Sequence, residues 1–196
     1  MGARIALHMA LRFSDKIKGA VLIAGSPGLK DKVARKVRRA KDDSRARSLV
    51  VHGLQLFVDT WYAGDMWKSL RGHPHFNQIV TSRMQHDDVW NLAKALSDLS
   101  VGRQLPLWED LKHCKTPLML IYGEKDTKFK TIAQEMFYEA SHGSKSADDL
   151  WNEIHEIVEI PNCGHAAHLE NPLPILSALR QFLTKLKTSS SSQRVL

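Results

Sequence analysis

Residues 160–172 read Ile-Pro-Asn-Cys-Gly-His-Ala-Ala-His-Leu-Glu-Asn-Pro, and this stretch decides how the chain is interpreted. A run of apolar, β-branched residues precedes it, and an apolar helical pattern follows it. His165 is therefore predicted on a loop between a strand and a helix, and Gly164 permits a tight bend just before it. Loops at strand ends often carry catalytic groups, and histidine changes charge near neutral pH. His165 is a candidate general base, although an ordinary surface histidine would give the same pattern.

Three short apolar runs predict the strands of one sheet. They occupy residues 20–24, 117–122 and 154–160. Because helical patterns alternate with these runs, we expect an α/β fold with a parallel sheet. Residues 29–110 combine helical periodicity with many charges and aromatics, and they predict a largely helical insertion. Residues 1–13 also predict a helix, which is apolar on several faces and is therefore expected to be buried.

The composition is that of an ordinary globular protein with an excess of positive charge. The chain has 196 residues, of which 43% are hydrophobic and 25% are charged, and its formal net charge is +7. Such a charge favours anionic partners, for example a nucleic acid, a membrane surface or a small polyacid. Two cysteines far apart in sequence give neither a disulfide framework nor the spacing of a zinc site. No apolar run approaches the length of a transmembrane helix.

Asp126 is the second candidate for chemistry. It follows the predicted strand at residues 117–122 through a short turn that begins with Gly123. In an open parallel sheet the ligand binds at the carboxyl ends of the strands, so Asp126 and His165 are expected to face one crevice. An Asp that orients a His supplies two members of a nucleophilic triad. The alternative is that Asp126 only forms the turn or caps the next helix.

Further motifs extend this pattern over nearly the whole chain. They are Met1-Gly2-Ala3-Arg4, Ser26-Pro27-Gly28-Leu29, the pattern Arg35/Arg38/Asp42, Trp61-Tyr62, Ser82-Arg83, Gly123-Glu124-Lys125-Asp126-Thr127-Lys128-Phe129 and residues 164–172. With these motifs the sequence resembles the 2-succinyl-6-hydroxy-2,4-cyclohexadiene-1-carboxylate synthases (SHCHC synthases), α/β-hydrolase-fold enzymes of menaquinone and phylloquinone biosynthesis. The strand-turn-Asp and Gly-His motifs are general to that fold, whereas Pro-Gly-Leu followed by arginines, and Lys128-Phe129, are more specific.

The resemblance implies an elimination reaction on a small polycarboxylate. A base removes a proton, and pyruvate leaves from 2-succinyl-5-enolpyruvyl-6-hydroxy-3-cyclohexene-1-carboxylate, so the family activity is that of a carbon–oxygen lyase. Asp126 and His165 would be catalytic members of a Ser-His-Asp triad. The resemblance implies no cofactor and no metal, and neither a nucleic acid nor a membrane as partner.

The resemblance also implies the residues that hold the substrate. The matched substrate-binding residues are Arg4, Arg38, Arg83 and Trp61. Arginine suits this role because its guanidinium clamps a carboxylate with two hydrogen bonds. The backbone N–H of Met1 would match an oxyanion-hole donor. Each arginine could instead be a solvated surface residue, and Trp61 could be an ordinary packing residue of the insertion.

One member of the triad is expected outside the chain. In α/β-hydrolases the serine precedes the Asp and the His, on a Gly-x-Ser-x-Gly elbow. The sequence contains no Gly-x-Ser, and its opening Met1-Gly2-Ala3-Arg4 within the first predicted helix looks like the second half of such an elbow, so we expect that serine immediately upstream of Met1. The chain is thus predicted to be the C-terminal part of an α/β-hydrolase fold with a helical cap, and to be inactive alone.

We predict three parts within the chain. Residues 1–28 and 111–186 form a partial α/β-hydrolase core, residues 29–110 form the helical cap, and residues 187–196 form a disordered, Ser-rich tail. A polar insertion at residues 141–149 would suit a larger eukaryotic version of the enzyme, and the chain resembles the last domain of a multifunctional plant protein. Its partners would then include the upstream domains. The location would be the chloroplast in a plant and the cytoplasm otherwise.

Two other interpretations stay open from the sequence. Another α/β-hydrolase, such as an esterase or a C–C hydrolase, would share the triad, but neutral substrates do not need the arginines. A non-catalytic binding module would use residues 30–47, which hold nine basic residues, to contact nucleic acid or an acidic partner. Asp31, Asp42 and Asp43 interrupt that run, and no aromatic residue for base stacking lies within it. The enzyme interpretation is therefore favoured.

Overall fold

The computed structural model describes residues 1–142 and 155–192. The strands are β1 (Ala20–Ile23), β2 (Leu118–Gly123) and β3 (Glu156–Ile160). The helices are α1 (Gly2–Arg12), α2 (Lys32–Ala63), α3 (Lys68–Arg71), α4 (Phe76–Met84), α5 (Val89–Asp98), α6 (Trp108–Leu111), α7 (Thr127–His142), α8 (Ala167–Glu170) and α9 (Pro172–Ser192), with a short 3-10 turn at Asp65–Trp67. Two compact units are formed, one by residues 1–27 and 107–196 and the other by residues 28–106.

The three strands form one parallel sheet in the order β1-β2-β3, which confirms the predicted α/β fold class. All six residues of β2 are buried, as expected for a central strand with helices on both faces. One face packs beneath α1, α6 and α7, and the other packs beneath α9. Residue 154, at the predicted start of the third strand, lies outside the described residues.

Helix α1 differs from the expectation of a fully buried helix. Leu7 and Ala10 are buried against the sheet. The opposite face is an apolar stripe at four-residue spacing, and it lies open to solvent at Met1, Ile5, Met9 and Phe13. The reason is that β1 is the edge strand among the described residues, so α1 has a packing partner on one side only.

The second unit is helical, as the sequence predicted for most of residues 29–110. Its principal contact is between α2 and α5, which share a small apolar core at Ala46, Leu49 and Ala93. Helix α2 begins where the side chain of Asp31 accepts a hydrogen bond from the N–H of Ala34. It is kinked at Gly53, whose φ of 83° is accessible to glycine at little cost. The periodicity of the sequence did not predict this kink.

The predicted disordered tail is helical as far as the structure describes it. Helix α9 continues to Ser192, beyond the predicted boundary at residue 187. Leu186 is buried in the sheet core, and the hydroxyl of Thr188 donates to the carbonyl oxygen of Lys185, 2.9 Å away. These contacts extend the helix into the Ser-rich segment. The predicted polar insertion begins inside α7, and its residues from 143 onward lie outside the described part.

No helix in the described part of the chain is both long and apolar enough to cross a membrane.

Candidate active site

Asp126 and His165 both lie just beyond the carboxyl ends of strands. Asp126 stands three residues after β2 ends at Gly123, and His165 stands five residues after β3 ends at Ile160. Because β2 and β3 are parallel neighbours, with Gly123 opposite Ile160, the two loops emerge at the same edge of the sheet. The topology therefore brings together two side chains that lie thirty-nine residues apart in sequence.

The two side chains meet as the sequence analysis expected. His165 Nδ1 lies 2.7 Å from Asp126 Oδ2, and the side chains are 18% and 9% exposed. An ionised carboxylate can only accept hydrogen bonds, so Nδ1 carries the proton and donates it. The lone pair of the imidazole then resides on Nε2, the nitrogen required of a general base. The geometry is that of an Asp orienting a His, and the catalytic role of the pair stays a prediction.

Phe129 contributes to this pair in a way that the sequence analysis did not identify. Its N–H donates to Asp126 Oδ1 at 3.2 Å, so that the carboxylate also caps the start of α7. Its ring lies against the imidazole of His165. The Asp-x-x-Phe spacing is a capping signal that could have predicted the first contact. The ring contact depends on how two loops approach each other, which one sequence does not reveal.

The loops that carry Asp126 and His165 are joined through their backbones. The N–H of Lys125 donates to the carbonyl of Cys163 at 2.8 Å, and the N–H of Glu124 donates to that of Ile160 at 2.9 Å. Gly123 fits between the loops only because it lacks a side chain, since a Cβ there would lie 2.2 Å from the carbonyl oxygen of Gly164. The loop that carries Asp126 (the acid loop) and the loop that carries His165 (the base loop) thus form one closely packed assembly.

Cys163 is buried inside that assembly. Its burial raises the pKa of the thiol, and the negative charge of Glu170 adds to the effect. The thiol therefore stays protonated at neutral pH, which agrees with a packing role and not with that of a nucleophile.

Arg4 and Met1 lie at the start of α1. The first turn of α1 approaches the carboxyl end of β1. A Cβ added to Gly25, just after β1, would lie only 3.1 Å from the Cβ of Ala3 in that turn. Arg4 is therefore on the same edge of the sheet as Asp126 and His165. Its half-buried position lowers the pKa of the guanidinium, which still leaves an arginine charged at neutral pH. The role of the Met1 N–H as an oxyanion donor stays a prediction.

Arg38 belongs to a network in the second unit. Its Nε donates to Asp42 Oδ2 at 2.8 Å, and Arg45 Nη1 donates to Oδ1 at 3.4 Å. The Asp42 side chain is only 2% exposed, and its Oδ2 also accepts from the hydroxyl of Ser100 at 2.7 Å. Arg38 itself is 39% exposed, so it can still present its terminal nitrogens to a ligand.

The other two predicted substrate residues of the second unit have different surroundings. Trp61 stacks on Phe57 with centroids 5.7 Å apart and contacts Trp67 at 6.1 Å, while the guanidinium of Arg45 lies 5.4 Å from its ring. Trp61 is thus part of an aromatic cluster, and a packing role and a pocket role are both compatible with it. Arg83 is exposed in the last turn of α4. Whether Arg4, Arg38 and Arg83 bind one ligand stays a prediction.

Among the described residues, no group of three His, Cys, Asp or Glu side chains is arranged to hold a metal ion.

Comparisons with known proteins show the family of the chain. Residues 1–178 match the model of the alpha/beta hydrolase family. The chain is 58% identical over 191 residues to the Arabidopsis thaliana protein named "Protein PHYLLO, chloroplastic", an alignment that covers 97% of this chain and 11% of that protein. It is 29% identical over 188 residues to a Bacillus subtilis protein named as a putative SHCHC synthase, covering 95% of this chain and 64% of the relative.

Two solved structures are also similar to this chain. The structure of MenH from S. aureus superposes with a TM-score of 0.83 at 29% identity, covering 94% of this chain and 65% of that one. A thermophilic esterase from Thermogutta terrifontis superposes with a TM-score of 0.69 at 18% identity, which shows a common fold alone. These similarities confirm the resemblance to SHCHC synthases and to the plant protein PHYLLO. The chain spans about a tenth of PHYLLO and under two thirds of the Bacillus relative.

Proposed function

Because the chain belongs to the alpha/beta hydrolase family, we propose that it supplies the acid, the base and the cap of an SHCHC synthase. The enzyme would eliminate pyruvate from 2-succinyl-5-enolpyruvyl-6-hydroxy-3-cyclohexene-1-carboxylate. The observation that carries the proposal is the 2.7 Å contact between Asp126 and His165 at the carboxyl edge of the sheet. Similarity to proteins named as SHCHC synthases selects this reaction among those of the family.

His165 would act through its Nε2. Asp126 keeps the proton on Nδ1 and stabilises the imidazolium that forms when Nε2 takes up a proton. The triad serine, expected on an elbow ahead of Met1, would lie between Nε2 and the acidic C–H of the substrate. Removal of that proton forms a new carbon–carbon double bond, the C–O bond breaks, and the enolpyruvyl group leaves. The leaving group is the enolate of pyruvate, which takes up a proton at carbon and becomes pyruvate.

The arginines would hold the carboxylates of the substrate. Arg4 lies at the same edge of the sheet as the Asp126–His165 pair, which supports a role beside the reacting atoms. Arg38 is held in a fixed orientation by Asp42, and this lowers the entropy lost when it binds a carboxylate. We include Arg83, Trp61 and the backbone N–H of Met1 in the site because they match family positions.

The same proposal covers location and partners. PHYLLO is named as chloroplastic, and this chain aligns with a small part of that long protein. We therefore propose a chloroplast location and upstream domains of one polypeptide as neighbours. A basic nucleic-acid-binding module is a weaker alternative, because Arg38 and Arg45 are both engaged with the buried carboxylate of Asp42.

The test uses the extended chain, meaning this sequence preceded by the upstream segment that carries a Gly-x-Ser elbow. We expect it to release pyruvate from the polycarboxylate substrate and to leave a panel of neutral p-nitrophenyl esters nearly untouched. His165→Ala and Asp126→Ala should each lower kcat by several orders of magnitude, since triad members act as a unit. Efficient ester hydrolysis without pyruvate release would show instead that the protein is a different hydrolase of this family.

A further inference from the structure

Two glutamate side chains hold the loop that leads into His165. Glu124 Oε2 accepts a hydrogen bond from the N–H of Asn162 at 2.7 Å. Glu170 Oε2 accepts one from the N–H of Gly164 at 2.9 Å. Both acceptors are carboxylates, and hydrogen bonds to ionised groups are roughly twice as strong as those between neutral groups. Of the three residues before His165, the first and the last therefore each donate a backbone N–H to a glutamate carboxylate.

The backbone of this loop has a shape that needs such support. Asn162 has a φ of 61°, in the left-handed region that a residue with a side chain adopts only at a cost. Between Asn162 and Gly164 lies Cys163, which is buried. Its carbonyl oxygen accepts a hydrogen bond from the N–H of Lys125. The left-handed conformation bends the chain at Asn162, three residues before His165. The hydrogen bonds on either side of Cys163 support this bend.

Each glutamate lies on a segment adjoining a member of the Asp126–His165 pair. Glu124 lies two residues before Asp126 on the acid loop, and it binds the base loop. Glu170 ends α8, the helix that begins directly after the base loop, and it binds back to the residue preceding His165. The loop that carries His165 is thus hydrogen-bonded both to the helix that follows it, through Glu170, and to the turn that carries Asp126, through Glu124.

We propose that Glu124 and Glu170 are positioning residues that fix His165 at hydrogen-bonding distance from Asp126. The kinetic consequence rests on the proposed elimination, whereas the geometric consequence does not. Both glutamates accept hydrogen bonds from backbone N–H groups of the loop, so we infer that they act on His165 through its backbone. Glu170 has the larger share, because its side chain is half-buried while Glu124 is exposed.

The direct readout is the Nδ1 proton of His165. In the extended chain labelled with 15N-histidine, this proton should give a downfield resonance that disappears in His165→Gln. Glu170→Ala should accelerate its exchange with solvent by about tenfold or more, and Glu124→Ala by less, because a mobile loop opens the bond to Asp126. Glu170→Gln and Glu124→Gln should stay close to wild type, since an amide oxygen still accepts from the N–H. The matched control is Glu109→Ala, a carboxylate 85% exposed on α6.

A second readout is kinetic. Both alanine variants should lower kcat, by about 10- to 100-fold for Glu170, with KM within twofold of wild type, because the reacting group is misplaced while the arginines are unchanged. Unchanged Nδ1 exchange in both alanine variants would overturn the proposal, even if their urea midpoints fall, because the glutamates would then only stabilise the fold. Should Glu170→Ala fail to fold, the exposed Glu124 supplies the decisive variant. If wild type releases no pyruvate, the proposed function fails, and the exchange measurement still tests the positioning role.

Discussion

The ring of Phe129 lies 4.6 Å from the imidazole of His165, centroid to centroid, at an interplanar angle of 53°. The N–H of the same residue donates to Asp126 Oδ1. One residue at the start of α7 therefore contacts both members of the Asp–His pair, through its backbone on one side and its ring on the other. We therefore expect the ring to limit the rotation of the imidazole.

Phe129→Leu separates these two contacts. Leucine keeps the N–H that caps α7 but lacks the flat ring, so the carboxylate stays fixed while the imidazole gains freedom. In the extended chain we expect kcat for pyruvate release to fall roughly tenfold, with little change in KM. Phe13→Leu, at the exposed residue that follows α1, is the control for loss of a phenyl ring. An unchanged kcat in Phe129→Leu would show that the ring does not orient His165.

Arg38→Ala tests the substrate clamp. Loss of a charged hydrogen bond to a substrate carboxylate should weaken binding by about 1.5–3 kcal/mol, seen as a higher KM for the polycarboxylate. The substitution also takes one partner from the buried carboxylate of Asp42. A fall in stability alone would therefore not establish the binding role.

Ser100→Ala is the control that resolves this ambiguity. It removes the hydroxyl that donates to Asp42 Oδ2 and leaves Arg38 in place. We expect it to lower the free energy of unfolding by about 1–3 kcal/mol without changing KM. If Arg38→Ala and Ser100→Ala alter KM equally, or not at all, Arg38 does not contact the substrate.

A matched pair of glycines tests the junction of the two loops. In Gly123→Ala the new Cβ would lie 2.2 Å from a backbone oxygen, so that the acid and base loops must separate. We expect a loss of about 1–3 kcal/mol in the free energy of unfolding, together with loss of activity. Gly72→Ala, after α3, places its new Cβ at an ordinary 3.5 Å from the carbonyl oxygen of Ser69 and should be neutral or slightly stabilising. Urea unfolding of both variants makes the measurement, and equal stabilities would contradict the close approach.

The buried thiol of Cys163 predicts how stability depends on alkaline pH. Its pKa is raised in the folded state, so above the ordinary thiol pKa of about 8.5 the unfolded chain loses its proton first. The unfolded state then binds fewer protons than the folded state, and stability falls as the pH rises. Cys163→Ala should show a shallower decline above that pH in urea titrations. Tyr122, whose pKa is also raised by burial, contributes to the decline that remains, as do Lys112 and Lys130, whose pKa values are raised by hydrogen bonds to Glu109 and Glu159.

The parts of the fold that the sequence predicted well are those set by local pattern. Short apolar runs located the three strands of the described part of the chain, and strand-turn motifs located Asp126 and His165 at one edge. The exposed face of α1 was not predicted, because apolar periodicity does not reveal how many neighbours a helix has. The contacts of Glu124, Phe129 and Glu170 were also missed, since they depend on the distance between two loops. The helical end of α9 was missed because the prediction of disorder relied on the serine content and did not consider the burial of Leu186 in the sheet core.

The central claim is that Asp126 and His165 form the acid–base pair of an SHCHC synthase whose serine lies on an elbow ahead of Met1. The most direct measurement is pyruvate release from the polycarboxylate substrate by the extended chain, by the extended chain with the elbow serine changed to alanine, and by the 196-residue chain. We predict turnover by the first alone, since loss of a triad member removes several orders of magnitude of rate. Comparable turnover by all three would contradict the account, because the elimination would then proceed without the serine that His165 is proposed to activate.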